Sequence, residues 1–282
     1  MAPINTALDA DWLGACRRSV HALQQMLDAS PTTSQRAVET GSRGSGGDRT
    51  LVIDRSAEAI VLDALRAVHD AGHEFHVVSE ERGAIDFGDG PVRVIVDPID
   101  GSLNAKRGAC HYALSIAVAG GETMRDVAFG FVHDFGCEEQ WWAIRGEGAW
   151  LNGELLDPSL PERRSRDGRL ELLGIESADP RWVQASIEPL VTCAHRLRAL
   201  GSIAATLCQV AAARFDGMVT LRRCRGVDAA AGQLIVREAG GLVSFRDCDD
   251  PLGAPLDATV GSRLAAARAP ETLRELEGLV PA

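Results

Sequence analysis

The chain has 282 residues and sets 29 Lys and Arg against 40 Asp and Glu, a formal net charge of −11. So acidic a balance excludes a broad surface for tracking the phosphates of DNA or RNA and disfavours an acidic membrane face, so no nucleic acid and no membrane is expected as a partner. The length suffices for one compact enzyme or two closely packed halves.

Seven cysteines without a Cys-x-x-Cys spacing read as reduced thiols of a cytoplasmic protein. The N-terminal segment mixes Asp9, Asp11 and Trp12, unlike a targeting peptide. No stretch approaches the ~20 apolar residues needed to cross a bilayer. Over residues 7–27, Leu8, Trp12, Leu13, Cys16, Val20, Leu23 and Leu27 recur at three and four, the stripe of an amphipathic helix that Pro31 ends. Residues 41–47 are too rich in glycine for a fixed element. Residues 50–54 read as a strand end, with Asp54 as N-cap of a helix whose buried side is Ala57, Ile60, Val61, Ala64, Leu65 and Val68. His69, His73 and His76 fall on different elements and are expected at the surface or in packing. Residues 75–78 form a strand-like run that stops at Ser79-Glu80-Glu81, and Asp86 and Asp89 suggest an exposed turn with Gly88 and Gly90.

The next run carries the chemistry. Val94, Ile95 and Val96 suit a strand buried on both faces, and it stops at Asp97-Pro98-Ile99-Asp100-Gly101-Ser102. Pro98 fixes its own φ and keeps Asp97 out of the helical region, so a stiff turn presents two acids that repel each other unless a cation joins them. The following Gly101-Ser102 looks like a helix start, where free N–H groups attract an anion. Hard acids beside an anion cradle suggest a Mg²⁺ site that handles phosphate esters. Glu80-Glu81, Asp54 and Asp228 also stand at the ends of apolar runs or the starts of helices.

Residues 112–119, 127–133, 139–144 and 148–153 read as scaffold strands and turns, with Trp141 and Trp142 in the core or an interface. The polar run 158–168 is the expected boundary between an N-terminal half, 1–157, and a C-terminal half, 158–282. Beyond it, 170–175, 197–201, 217–221 and 242–245 read as strands, and 181–191, 202–213, 228–239 and 271–279 as helices. Ser202 caps the second of these helices and Gly240-Gly241 stops the third. Arg222, Arg223, Cys224 and Arg225 make a basic cluster just before Asp228.

Taken together, Glu80-Glu81, Asp97-Pro98-Ile99-Asp100-Gly101-Ser102, and Asp228-Ala229-Ala230-Ala231-Gly232 with Glu238-Ala239-Gly240-Gly241 resemble the inositol monophosphatase family in order and approximate spacing. The resemblance runs from roughly residue 48 to 260. It implies an α+β fold, a layered α-β-α-β-α sandwich, and a Li⁺-sensitive phosphatase that works with two or three Mg²⁺ ions. Glu80, Asp97 and the carbonyl of Ile99 match the ligands of one ion, and Asp97, Asp100 and Asp228 those of a second, with Glu80 sharing a looser third. The position of Asp54 implies a hydrogen bond to Ser102, the two together orienting and deprotonating the attacking water, with no covalent phosphoenzyme. Phosphate would rest on Asp100, Gly101 and Ser102. The loop at Ser202 would face the leaving group, and Arg225 would hold a second anionic group. The resemblance also makes the run from 41 to 48 a mobile flap placing Arg43 or Asp48 near the metals, the alternative to an idle linker, and implies a homodimer.

The substrate stays open among inositol 1-phosphate, fructose 1,6-bisphosphate, a nucleotide 3′-phosphate and histidinol phosphate. Val227 and Leu221 stand where many inositol phosphatases have tryptophan and glutamate, and Arg225-x-x-Asp228 is nearer the archaeal-type bisphosphatases. A non-catalytic regulator that binds a sugar phosphate or metal is the alternative of another class.

Overall fold

The structure is a computed structural model and describes residues 7–43 and 49–279. Helix α1 (Trp12–Asp28) and the short α2 (Thr33–Arg36) precede a hairpin of β1 (Glu39–Arg43) and β2 (Arg49–Leu51), after which α3 (Val52–Asp70) runs back along α1. Strands β3 (Phe75–Ser79), β4 (Gly83–Phe87) and β5 (Arg93–Asp100) follow, then α4 (Ser102–Arg107). Next come β6 (Ala113–Ala119), β7 (Val127–Asp134), β8 (Glu139–Ile144), β9 (Gly148–Leu151) and β10 (Glu154–Leu155). The rest of the chain folds as β11 (Leu173–Glu176), α5 (Pro180–Ala185), α6 (Ile187–Cys193), β12 (Leu197–Arg198), α7 (Ile203–Ala211), β13 (Gly217–Thr220) and β14 (Cys224–Arg225). It ends with α8 (Gly226–Glu238), β15 (Leu242–Phe245), β16 (Gly261–Ser262), β17 (Leu264–Ala267) and α9 (Pro270–Glu277).

Eight strands form one sheet in the order β10-β9-β8-β7-β6-β5-β3-β4, antiparallel except where β3 and β5 run side by side in parallel. Five form a second, β12-β11-β13-β17-β15. The alternation of side chains along β5 explains the stacking: Val94 and Val96 join Leu23, Leu27, Val61 and Leu65 of α1 and α3, whereas Ile95 faces Leu207 and Leu234 of α7 and α8. The other side of α7 and α8 meets Met218, Val243 and Ala266 of the second sheet, and that sheet's far face, with Leu173, Val219 and Ala265, is closed by Leu190 and Leu276 of α6 and α9. Five layers result, α-β-α-β-α, the sandwich implied by the motifs. A strand covered on both faces is apolar where it is covered, as β5 is from Val94 to Val96.

Some elements depart from expectation for local reasons. The strand read over 50–54 stops at Leu51, so Asp54 lies inside the first turn of α3 and not at its N-cap. The glycine-rich stretch begins within β1, and residues 44–48, with Asp48, lie outside the described residues, as does the side chain of Arg43. Asp86 is not in a turn: it sits on β4, opposite His76, whose Nδ1 lies 2.6 Å from its carboxylate. The helix read over 181–191 breaks in two at Ser186, because Pro189 has no N–H to donate and is tolerated only in a first turn. Trp141 is buried, and Trp142 stacks on Trp150 across the β8–β9 pair at 3.9 Å.

Candidate active site

The exit of β5 is built by its proline. Register with β6 is regular from Arg93 to Asp97, then slips before Asp100, since Pro98 cannot donate to the ladder. Within the slip the N–H of Ile99 turns inward to Asp97 Oδ1 at 3.1 Å, and Ser102 Oγ donates to the Ile99 carbonyl at 3.1 Å. Gly101 has φ +92°, and a Cβ there would come within 2.8 Å of the His111 carbonyl oxygen and 3.0 Å of that of Gly201. Only glycine fits this left-handed, crowded position, which turns the chain into α4.

Asp100 is held from the second sheet's side. Its Oδ2 accepts from Ser202 Oγ at 2.7 Å and from the N–H of Ala204 at 2.6 Å. Ser202 also accepts from the N–H of Ala205 at 3.2 Å, so one hydroxyl caps α7 and fixes an acid. The loop before it is pinned by Glu176, at the carboxyl end of β11, which accepts from the N–H of Leu200 at 3.0 Å, the N–H of Gly201 at 3.1 Å and Thr206 Oγ1 at 2.6 Å. Burial pushes the Glu176 carboxyl up to about 7 against the pull of those donors.

Glu80 and Asp228 complete the group. The N–H of Glu80 bonds the Val96 carbonyl at 3.2 Å, and its loop is anchored by buried Glu58, which takes hydrogen bonds from Ser79 Oγ and from the Arg82 N–H at 3.0 Å, with an ion pair to Arg82 Nε at 2.8 Å. Asp228 lies in the first turn of α8, where its Oδ2 accepts from the Arg225 N–H at 2.9 Å. Arg225 Nη2 reaches Glu80 Oε1 at 2.6 Å and Asp228 Oδ1 at 2.9 Å. Arg225, expected against substrate, therefore stands between two of the acids. Asp54 is buried in the first turn of α3.

The electrostatics report crowding. Burial, then Glu80, Asp100 and Asp228, raise the Asp97 carboxyl well above its ordinary range. Burial and Asp228 do the same to Asp100, while Ser202 and Ala204 oppose the shift. Asp228 is raised by burial and relieved by Arg225. Four carboxylates facing one ion-paired guanidinium leave a deficit of positive charge, and their donors are all hard oxygens, the set that suits Mg²⁺. The residues therefore fit the ion. Among the described residues the trio of ligand atoms lying within 4.8 Å of one another is elsewhere, at His111, Asp134 and Cys137, while the Arg225 guanidinium stands between Glu80 and Asp228.

Beside the acids opens a cavity of about 700 Å³ whose lining includes Leu103, Trp182, Arg222, Arg223, Arg225 and Asp228. Arg222 lies over the Trp182 ring, 4.8 Å from its centroid. The motifs bring Glu80, Asp97, Asp100, Asp228 and Arg225 into one electrostatic group, and Ser102 and Ser202 against it. Glu58 and Glu176 were not singled out by the motifs. Each had a signal: Glu58 interrupts the apolar face of α3, and Glu176 ends an apolar strand as Asp97 does.

The chain is similar to known proteins along most of its length. The model of the inositol monophosphatase family matches residues 14–280. A fructose-1,6-bisphosphatase/inositol-1-monophosphatase of Methanothermobacter thermautotrophicus is 32% identical over 244 residues, covering 83% of this chain and 84% of that protein. The Nus factor SuhB of Haemophilus influenzae is 34% identical over 220 residues, 77% of each chain. A solved structure from Pyrococcus horikoshii, described by its similarities to inositol-1 monophosphatase, superposes with a TM-score of 0.73 at 26% identity, covering 94% of this chain and 98% of its own. With the family model matching nearly the whole length and the layered fold shared with a solved relative, the chain belongs to the inositol monophosphatase family.

Proposed function

We propose that the protein is a Mg²⁺-dependent phosphomonoesterase that hydrolyses a small phosphorylated polyol or sugar, such as inositol 1-phosphate, with water as the nucleophile and no covalent intermediate. The observation that carries this reading is the gathering of buried Asp97, Asp100 and Asp228 with Glu80 at the start of α4. In this reading Glu80, Asp97, the Ile99 carbonyl, Asp100 and Asp228 would hold two or three Mg²⁺ ions, which supply Lewis-acid charge neutralisation and make water acidic enough to react near neutral pH. Gly101 and Ser102 seat the phosphate on the first N–H groups of α4. Ser102 Oγ, now bonded to the Ile99 carbonyl, orients the water with Asp54. Ser202, fixed to Asp100, borders the leaving group. Arg225, paired here with Glu80 and Asp228, would be the residue to hold a second anionic group, and Arg222 and Arg223 extend the positive wall of the cavity.

Substrates with a second anionic group, fructose 1,6-bisphosphate first among them, suit that wall. The test is phosphate release from inositol 1-phosphate, fructose 1,6-bisphosphate, a nucleotide 3′-phosphate and histidinol phosphate, with and without Mg²⁺. Turnover that requires Mg²⁺ supports the reading, and absence of Mg²⁺-dependent release from all four removes it. The likeness to a Nus factor favours a second reading, a regulator that keeps the acids without needing turnover. An Asp97→Asn protein that performs the cellular role at full strength would select that reading.

A further inference from the structure

Outside the acid group, His111, Asp134 and Cys137 meet where β6 begins and β7 ends. His111 Nδ1 lies 2.8 Å from Asp134 Oδ2 and 3.7 Å from Cys137 Sγ, and the three ligand atoms all fall within 4.8 Å of one another. A tetrahedral zinc ion, with bonds of about 2.0 Å to nitrogen and oxygen and about 2.3 Å to sulfur, spaces its ligands about 3.3 Å apart for N and O and about 3.5 Å for N and S. The N–O and N–S separations lie on either side of those edges, each within about half an ångström of its edge.

The backbone already holds the group in place. His111 has φ +66°, a left-handed conformation that is strained for a non-glycine residue and persists where the surroundings enforce it. Asn104 Nδ2 donates to its carbonyl at 2.9 Å, and the N–H of Gly136 donates to Asp134 Oδ1 at 2.8 Å. A Cβ on Gly136 would stand 2.7 Å from the His111 backbone nitrogen and 2.8 Å from Cys110 Cα, so glycine is what lets the two loops touch. Asp134 is buried, His111 is partly exposed and Cys137 is exposed, which gives an ion a way in.

We propose that His111 Nδ1, Asp134 Oδ2 and Cys137 Sγ form a binding site for a zinc-class transition-metal cation, with a fourth position open to solvent. Mixed nitrogen, oxygen and sulfur donors favour such a cation over Mg²⁺, in contrast to the all-oxygen acid group. Ligation by a thiolate and by Nδ1 requires loss of the Cys137 thiol proton and an imidazole with no proton on Nδ1. Affinity therefore rises with pH.

Titration of the full chain with Co²⁺ under reducing conditions tests this. Thiolate ligation gives a near-ultraviolet charge-transfer band that carboxylates alone cannot produce. The wild-type protein and Asp97→Asn are expected to show the band, and Zn²⁺ to bleach it. Cys137→Ser is expected to lose it. His111→Asn, which keeps a residue tolerant of the left-handed backbone, is expected to weaken Co²⁺ binding at least tenfold. No band in the wild-type protein, an equal band in Cys137→Ser, loss of it in Asp97→Asn, or unchanged affinity in His111→Asn would each overturn the proposal.

Discussion

Two polar clusters border the chain between Asp97 and Tyr112, and they are built in opposite ways. The acid group at Glu80, Asp97, Asp100 and Asp228 carries more negative charge than its surroundings offset, and burial holds its carboxyls in the high range. At His111 and Asp134 the charges pair: the hydrogen bond to Asp134 leads the causes that raise the imidazole, against the cost of its partial burial. The first cluster is a cost to the folded chain that a bound cation would relieve. The second supports the fold as it stands. Removing a charge should therefore have opposite effects in the two places.

The largest expected effect is on turnover. Asp97→Asn should lower Mg²⁺-dependent phosphate release by roughly a hundredfold or more, since on the proposed reading it removes a metal ligand. The same change should raise the Tm of the protein in chelator, because one of four repelling carboxyls has become neutral. Calorimetry beside a phosphate assay reads both, and activity within tenfold of wild type would remove Asp97 from the site. Next in size is Glu58→Ala. It strands the buried Ser79 hydroxyl and the Arg82 N–H, and should cost about 2–3 kcal/mol in denaturant unfolding, with weaker Mg²⁺ activation because the Glu80 loop loosens.

Asp134→Asn is the direct counterpart of Asp97→Asn. Asp134 is 1% exposed and serves both His111 and the Gly136 N–H. Its neutralisation should lower stability in chelator by about 1–2 kcal/mol while the folded fraction keeps its turnover. A rise in Tm here, or a fall in Asp97→Asn, would erase the contrast between the clusters.

The acid group was legible because its parts are local. A β-branched run, a proline between two acids and an acid near a helix start are readable where they stand, and the layered fold came with them. The positions that fix those parts were harder to read. Glu58 and Glu176 look like ordinary surface acids until the loops they hold, at Arg82 and Gly201, are seen folded back on them. Arg225 was visible as part of a basic cluster, but its approach to Glu80 joins residues 145 positions apart, which no short pattern encodes. His111, Asp134 and Cys137 had no shared motif at all. The break at Ser186 was legible in principle from Pro189, yet the apolar spacing across it reads as one helix.

Glu176 gives the smallest and most specific test of how the second sheet supports the acid group. Its folded carboxyl titrates near 7, against 4.5 for an ordinary glutamate. A raised carboxyl binds its proton more tightly in the folded chain, so the stabilisation is fully present below about 4.5 and is lost as pH rises through about 7. The Tm in chelator should fall by roughly 2–4 °C between pH 5 and 8 through this group. Glu176→Gln should flatten that part of the slope, since the amide carries no charge to desolvate. An unchanged slope would mean that the charge is already balanced through Leu200, Gly201 and Thr206, and that the loop under Ser202 is held by packing instead of by this carboxylate.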